Sequence, residues 1–235
     1  MTRNILMENR NLQFLIILLA FVVMLPFLQL TRTSYVILTI FLSLVLFFGV
    51  LASGTAKHIS KTSIILGCSS LLCLWAEFFN SNLLTVWFAK VVFCLFFLYV
   101  AIVMLGKVIF NNIITANIIY GSACIYIIFG FIWAFLYSLV EYQHPGSFRF
   151  PDSGNLSVSQ SYEQSLFDCF YFSFVTLTTL GYGDITPISK VAKMLVMLEG
   201  LIGQLYITML VARLVGLYTA RESQIMHASN NSGNK

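Results

Sequence analysis

The most chemically distinctive part of the chain is the stretch Thr176–Asp184, which reads T-L-T-T-L-G-Y-G-D. Glycine adopts positive φ values at little cost, so glycines two residues apart let successive backbone carbonyls turn to the same side. Four such strands around one axis would present rings of carbonyl oxygens that replace the water around a dehydrated cation. The stretch therefore predicts a site that coordinates passing cations.

The composition indicates where such a site must lie. Of 235 residues, 59% are hydrophobic and only 9% are charged, and 22 are Phe. A soluble domain cannot bury so much apolar surface, so we predict a polytopic membrane protein whose first partner is the lipid bilayer. The net charge of +4 comes from scattered Lys and Arg and gives no basic cluster for nucleic acid. No cysteine has metal-ligand spacing, and no His, Asp and Ser cluster suggests an enzyme.

Six apolar runs are long enough to cross a bilayer, for which about 20 residues are needed. They are residues 11–30, 34–53, 62–79, 82–105, 112–140 and 189–218. A further apolar segment, residues 165–178, is too short to span. Ser165 and Asp168 have capping-box spacing, so we expect a helix to start at Ser165, enter from outside and stop midway. The expected fold class is an all-α membrane protein, with this re-entrant segment between helices five and six.

Lysine and arginine in the short loops predict the orientation. With the N-terminus inside, eight of these residues fall on the inner side and four on the outer side. This favours a multi-pass protein of the cell membrane with both termini in the cytoplasm. The loop Thr176–Asp184 would then open to the outside.

The segment Thr179–Asp184 resembles the selectivity filter of the potassium channel pore-loop family, which typically reads TVGYG. Leu180 stands where Val is commonest. Val175 stands where some members carry a Glu paired with the filter aspartate, so behaviour resting on that pair is not expected here. The resemblance implies a homotetramer with one filter strand from each chain, and K⁺ ions in the filter with no other cofactor.

The resemblance also implies a role for each filter residue. Thr179 would contribute its hydroxyl and carbonyl at the inner end, and Leu180, Gly181 and Tyr182 would contribute carbonyls, so these four would hold K⁺. Gly183 would permit the outer turn, and Asp184 would attract cations at the mouth. The residues expected to support the filter are Tyr171, Phe172 and Thr178, with Tyr171 and Phe172 packing around Tyr182.

Two residues of the last span are candidates for gating. Gly203 lies nineteen residues after Asp184, a spacing that resembles the family's hinge glycine, although close helix packing explains a small residue equally well. Gly203 or Gln204, with Ile207 and Val211, would form a stripe facing the central cavity. Glu199 sits near the bilayer midplane, where a charge is costly. It is either a gating or ion-attracting carboxyl, or one hydrogen-bonded to pore-helix hydroxyls such as those of Thr176 or Thr178.

The sequence divides into a four-helix domain (residues 1–110), a pore domain (111–218) and a short cytoplasmic tail (219–235). The first domain resembles a voltage sensor in helix count, but Lys90 is the only charge between Leu83 and Leu105. We expect Lys90 to reach the outer face by snorkelling. One charge gains only about 2.3 kcal/mol per 100 mV, so weak or absent voltage dependence is predicted. We expect the polar tail to be too short for a regulatory domain, so regulation by an unidentified partner is an alternative.

The expected function is passive, potassium-selective conduction, and two alternatives remain. Leu180 or the packing behind it could loosen the filter and give a non-selective cation channel. A non-conducting membrane subunit or receptor could keep the same pore-loop fold.

Overall fold

The computed structural model describes residues 10–27, 32–54, 61–79, 83–111, 115–151 and 158–232, and these are mostly helical. The first helix is followed at once by a short 3-10 turn, Leu25–Phe27, which contains Pro26. The helices are α1 (Arg10–Met24), α2 (Arg32–Ser53), α3 (Lys61–Phe79), α4 (Leu83–Phe110), α5 (Ala116–Gln143), α6 (Val158–Leu177) and α7 (Lys190–Ser232). A two-stranded antiparallel sheet pairs β1 (Phe148–Arg149) with β2 (Thr186–Pro187).

Five segments of the described residues are long and apolar enough to cross a membrane: Arg10–Phe27, Val36–Ser53, Leu84–Phe110, Ala116–Gln143 and Lys190–Gly216. Helix α3, the third predicted span, is not among them. The chain is therefore an all-α, multi-pass membrane protein. Of the α5 span 56% is buried within the chain, against only 11% of the α7 span, so the described residues leave most of α7 uncovered.

Helix α5 lies at the centre of the described fold, and aromatic rings join it to its neighbours. Phe131 of α5 lies 5.1 Å between ring centroids from Phe21 of α1 and 5.1 Å from Phe170 of α6. Phe135 stacks on Phe93 of α4 at 5.4 Å. Helices α1 and α4 thus pack directly against α5.

Lys90 is buried between α4 and α5, with 2% of its surface exposed. Its ammonium donates a hydrogen bond to the hydroxyl of Ser138 and lies 5.5 Å from the ring centroid of Tyr142, both in α5. The expectation that Lys90 reaches the outer surface is wrong, because a hydroxyl and an aromatic face of α5 meet its charge inside the protein.

Two helix boundaries differ from the sequence expectations. Helix α6 begins at Val158, so a helix start at Ser165 is wrong. No glycine or proline interrupts the segment 158–177, and its Gln and Glu residues favour helix. Helix α7 continues past the apolar span to Ser232, because residues 217–232 also contain neither glycine nor proline.

Candidate functional site

The loop that follows α6 begins from a firmly held helix end. The hydroxyl of Tyr126, in α5, donates to the carbonyl of Leu177 at 2.9 Å. The Thr178 hydroxyl donates back to the Phe174 carbonyl at 2.7 Å. Carbonyls at a helix C-terminus lack partners within the helix, so these bonds fix the point from which the loop starts.

The sign of the backbone angle φ alternates along the loop. Thr179, Gly181 and Gly183 have φ values of 61°, 56° and 80°, whereas Leu180 and Tyr182 between them do not have positive φ. Positive φ is rare for a threonine and costs free energy, so the surrounding structure must hold Thr179 in this conformation. Opposite hands at successive residues turn their carbonyls toward one side instead of alternating as in a strand. This is the backbone geometry that cation coordination needs.

The amide and carbonyl groups of the loop are used differently. The N–H groups of Leu180 and Gly181 both donate to the Val175 carbonyl, at 3.0 and 3.3 Å. Among the described residues, no hydrogen bond is accepted by the carbonyls of 179–182. A Cβ added at Gly181 or Gly183 would meet nothing within 4 Å. The loop is therefore held by its amides and presents its carbonyls to space that this chain leaves open.

The Asp184 end of the loop is tied to α6. The hydroxyl of Tyr171 donates to one carboxylate oxygen of Asp184 at 2.7 Å, and the Ile185 amide donates to the other at 3.0 Å. The Tyr171 hydrogen bond lowers the pKa of Asp184 below its ordinary value of 3.8. Phe172 faces elsewhere: its ring lies 5.3 Å from that of Tyr137 and 5.6 Å from that of Phe148.

A second set of contacts fixes the segment after the loop, and sequence reasoning missed its central residue, Glu141. The Glu141 carboxylate accepts from the amides of Gly146 at 2.7 Å and Phe148 at 2.9 Å. Phe148 begins β1, whose partner β2 follows the loop directly. The end of α5 thereby holds the segment that follows the loop. A lone carboxylate at a helix end before a Pro-Gly turn was the only signal in the sequence.

Glu199 is fully buried, with no exposed surface, and its carboxyl lies between α5 and α6. Its two oxygens accept hydrogen bonds from the Tyr137 hydroxyl and, at 2.5 Å, from the Ser173 hydroxyl. The predicted type of contact, a pore-helix hydroxyl, is present, but the partner is Ser173, not Thr176 or Thr178. An ion-attracting carboxyl would have to face open space, and this one does not.

Gly203 packs against the C-terminal end of α6. A Cβ at this position would lie 2.8 Å from Leu177 Cδ1 and 3.2 Å from the Leu177 carbonyl oxygen. Gly203 is buried, whereas Gln204, Ile207 and Val211 are exposed, so the open stripe of α7 runs through Gln204. Helix α7 is continuous through this point. The geometry supplies a packing reason for glycine, and a hinge role stays a prediction.

These contacts belong to one face of α7. The Tyr206 hydroxyl donates to the Ser122 carbonyl, and the Arg213 guanidinium to the Asn111 carbonyl, each at 2.7 Å. The face, which we call the attachment face, consists of Glu199, Gly203, Tyr206, Leu210 and Arg213. Its 4-3-4-3 spacing is that of a single helix face and could have been read from the sequence.

These features define a class, namely helical membrane proteins in which a short apolar helix and a loop lie between two helices long enough to span a membrane. Residues 113–220 match the model of a family described as "Ion channel". A 75-residue segment is 36% identical to "Two-pore potassium channel 4" of Arabidopsis thaliana, covering 31% of this chain and 26% of that protein. The chain thus matches about a quarter of that relative's length. No solved structure shows a significant match. Over residues 113–220 the chain is therefore similar to ion channel proteins, in agreement with the resemblance of Thr179–Asp184 to the potassium channel pore-loop family.

Proposed function

We propose that the chain is one of four identical subunits of a potassium-selective channel that conducts K⁺ passively. The observation that carries this proposal is the positive φ at Thr179, Gly181 and Gly183, with amides bonded behind the loop and carbonyls open. One such strand coordinates a cation from one side only, so a closed ring requires several copies. Thr179, Leu180, Gly181 and Tyr182 would bind K⁺, and Asp184 would attract it to the mouth.

The assembly we propose has six membrane spans, with α6 as a re-entrant pore helix between α5 and α7. The sparsely buried α7 supports this, because an apolar helix that its own chain leaves open can face a cavity on one side and neighbouring subunits on another. Both termini would be cytoplasmic in the cell membrane. The four-helix domain carries one buried charge in α4, which favours weak or absent voltage dependence.

The test is the reversal potential of the purified protein in a planar bilayer, with potassium on one side and sodium on the other. Reversal near the potassium equilibrium potential would support the proposal. Reversal near zero would instead indicate a non-selective pore, and absence of current under any voltage or pH would favour a non-conducting subunit.

Two glycine variants provide a matched comparison. Gly181→Ala and Gly146→Ala each place a side chain at positive φ, 56° and 86°, with nothing within 4 Å. The backbone strain is therefore similar, but only Gly181 lies in the loop. Conduction through this loop predicts that Gly181→Ala abolishes selective current and that Gly146→Ala preserves it, with both variants assembling normally.

A further inference from the structure

The Glu199 carboxyl joins three helices at one point inside the protein. Tyr137 belongs to α5, Ser173 to α6 and Glu199 to α7, and all three side chains have essentially no exposed surface. A buried carboxyl that makes no ion pair is costly unless hydrogen bonds satisfy it. Its placement therefore demands a reason, and the hydrogen-bond geometry supplies one.

Counting protons shows how the bonds fit together. Ser173 has a single hydroxyl proton but two neighbouring acceptors, the Gly130 carbonyl at 2.9 Å and a Glu199 oxygen at 2.5 Å. If the carboxyl is ionised, Ser173 can donate either to Glu199 or to the Gly130 carbonyl, but not to both. If the carboxyl carries a proton, it donates to Ser173 instead, Ser173 donates to Gly130, and Tyr137 still donates to the other Glu199 oxygen. Each donor then has one acceptor. A glutamine reproduces this pattern, because its amide donates to Ser173 and its oxygen accepts from Tyr137.

The hydrogen bonds of Glu199 affect the loop 179–183 through α6, which we propose to be the pore helix. Ser173 and Leu177 are one helical turn apart in α6, as Glu199 and Gly203 are in α7. Glu199 bonds to Ser173, and Gly203 abuts Leu177, so two successive turns of the helices meet in register. Thr179 follows two residues after Leu177. A displacement of α6 against α7 would therefore displace the loop.

We infer that Glu199 is a positioning residue for selective conduction. As a hydrogen-bond bridge to Ser173 and Tyr137, it holds the pore helix, and hence the loop 179–183, at a fixed depth against α7 and α5. It acts without contacting the permeating ion. The inference deepens the proposed channel function, on which its electrical readout depends.

The first test compares Glu199→Gln with Glu199→Leu. We expect Glu199→Gln to keep the potassium-over-sodium permeability ratio of the wild type, and Glu199→Leu to lower it at least about fivefold, the effect of one lost buried hydrogen bond. If glutamine behaves like leucine, the negative charge matters and the bridge is refuted. If leucine behaves like the wild type, Glu199 positions nothing.

The second test does not require current. Hydrogen exchange of the amides in residues 174–181 should rise at least about fivefold in Ser173→Ala and Glu199→Leu. Ser122→Ala is the matched control, because the Ser122 hydroxyl is also buried but, among the described residues, bonds within its own helix, to the Ile118 carbonyl at 2.9 Å. Equal exchange in Ser122→Ala and Ser173→Ala would overturn the inference.

A second substitution, Tyr137→Phe, keeps the Glu199→Leu variant from being destabilised by an unpaired buried hydroxyl. Glu199→Leu leaves the Tyr137 hydroxyl buried without its acceptor, whereas the double variant Glu199→Leu with Tyr137→Phe removes both groups at little cost. We expect this double variant to assemble but still to show raised exchange. Wild-type protein without current would reject the proposed function, and the exchange result would still decide the role of Glu199.

Discussion

Replacing Gly203 with alanine distinguishes a packing role from a hinge role. Alanine favours a helix over glycine by about 1 kcal/mol per residue, so the substitution should stabilise α7 where space is open. At Gly203 the added Cβ would lie 2.8 Å from Leu177 Cδ1 and 3.2 Å from the Leu177 oxygen. Leu177 is fully buried, so it cannot move aside freely. Overpacking of this kind costs about 1–3 kcal/mol.

The matched controls are Gly200→Ala and Gly216→Ala, in the same helix, where an added Cβ meets nothing within 4 Å. The free energy of unfolding of Gly203→Ala should lie about 1–3 kcal/mol below that of either control. For a chain of this size that difference lowers the melting temperature by about 2–12 °C. Thermal unfolding of the three variants in one detergent measures it.

Equal melting temperatures in the three variants would refute the packing argument. If they also came with a changed open probability in Gly203→Ala alone, the hinge prediction would be favoured. A lower melting temperature together with reduced potassium selectivity would support the packing role, because Leu177 leads directly into loop 179–183, for which we propose a role in conduction.

Three further predictions concern the outer mouth and the buried charge. Tyr171→Phe should raise the pKa of Asp184 toward its ordinary value of 3.8, and NMR titration of the carboxyl measures this shift. Because the wild-type pKa is lowered, the Tyr171–Asp184 hydrogen bond stabilises the folded protein above about pH 4. That stabilisation is lost as the pH falls through the lowered pKa. Glu141→Ala should leave two amides without an acceptor, which destabilises the turn after α5 by about 1–3 kcal/mol and speeds proteolysis there. Glu141→Gln keeps one acceptor, so its rate of proteolysis should lie between those of Glu141→Ala and the wild type. Lys90→Met should leave the dependence of open probability on voltage unchanged, and a clear shift along the voltage axis would show that this charge senses the field.

The sequence alone was sufficient for features that depend on local chemistry. The two glycines of the loop were expected to take mirror conformations, and Gly181 and Gly183 both have positive φ. The positive φ of Thr179 was not expected from the sequence. Long apolar runs predicted the five spanning segments of the described residues, since bilayer thickness sets their length, but they also predicted a span in α3, which is not among the five. Lys90 is the single charge between Leu83 and Leu105, which showed that a ladder of charges is missing there. None of these conclusions requires knowing which helices touch.

The tertiary structure decided everything that depends on which side chains meet. Ser173, not Thr176 or Thr178, bonds to Glu199, because the rotation of α6 brings that hydroxyl to α7. Gly203 faces Leu177 while Gln204 faces open space, a difference of one residue that composition cannot resolve. Lys90 is buried against α5 and not at the surface. Residue types fixed the chemistry that the chain could offer, and helix packing determined which residues could carry it out.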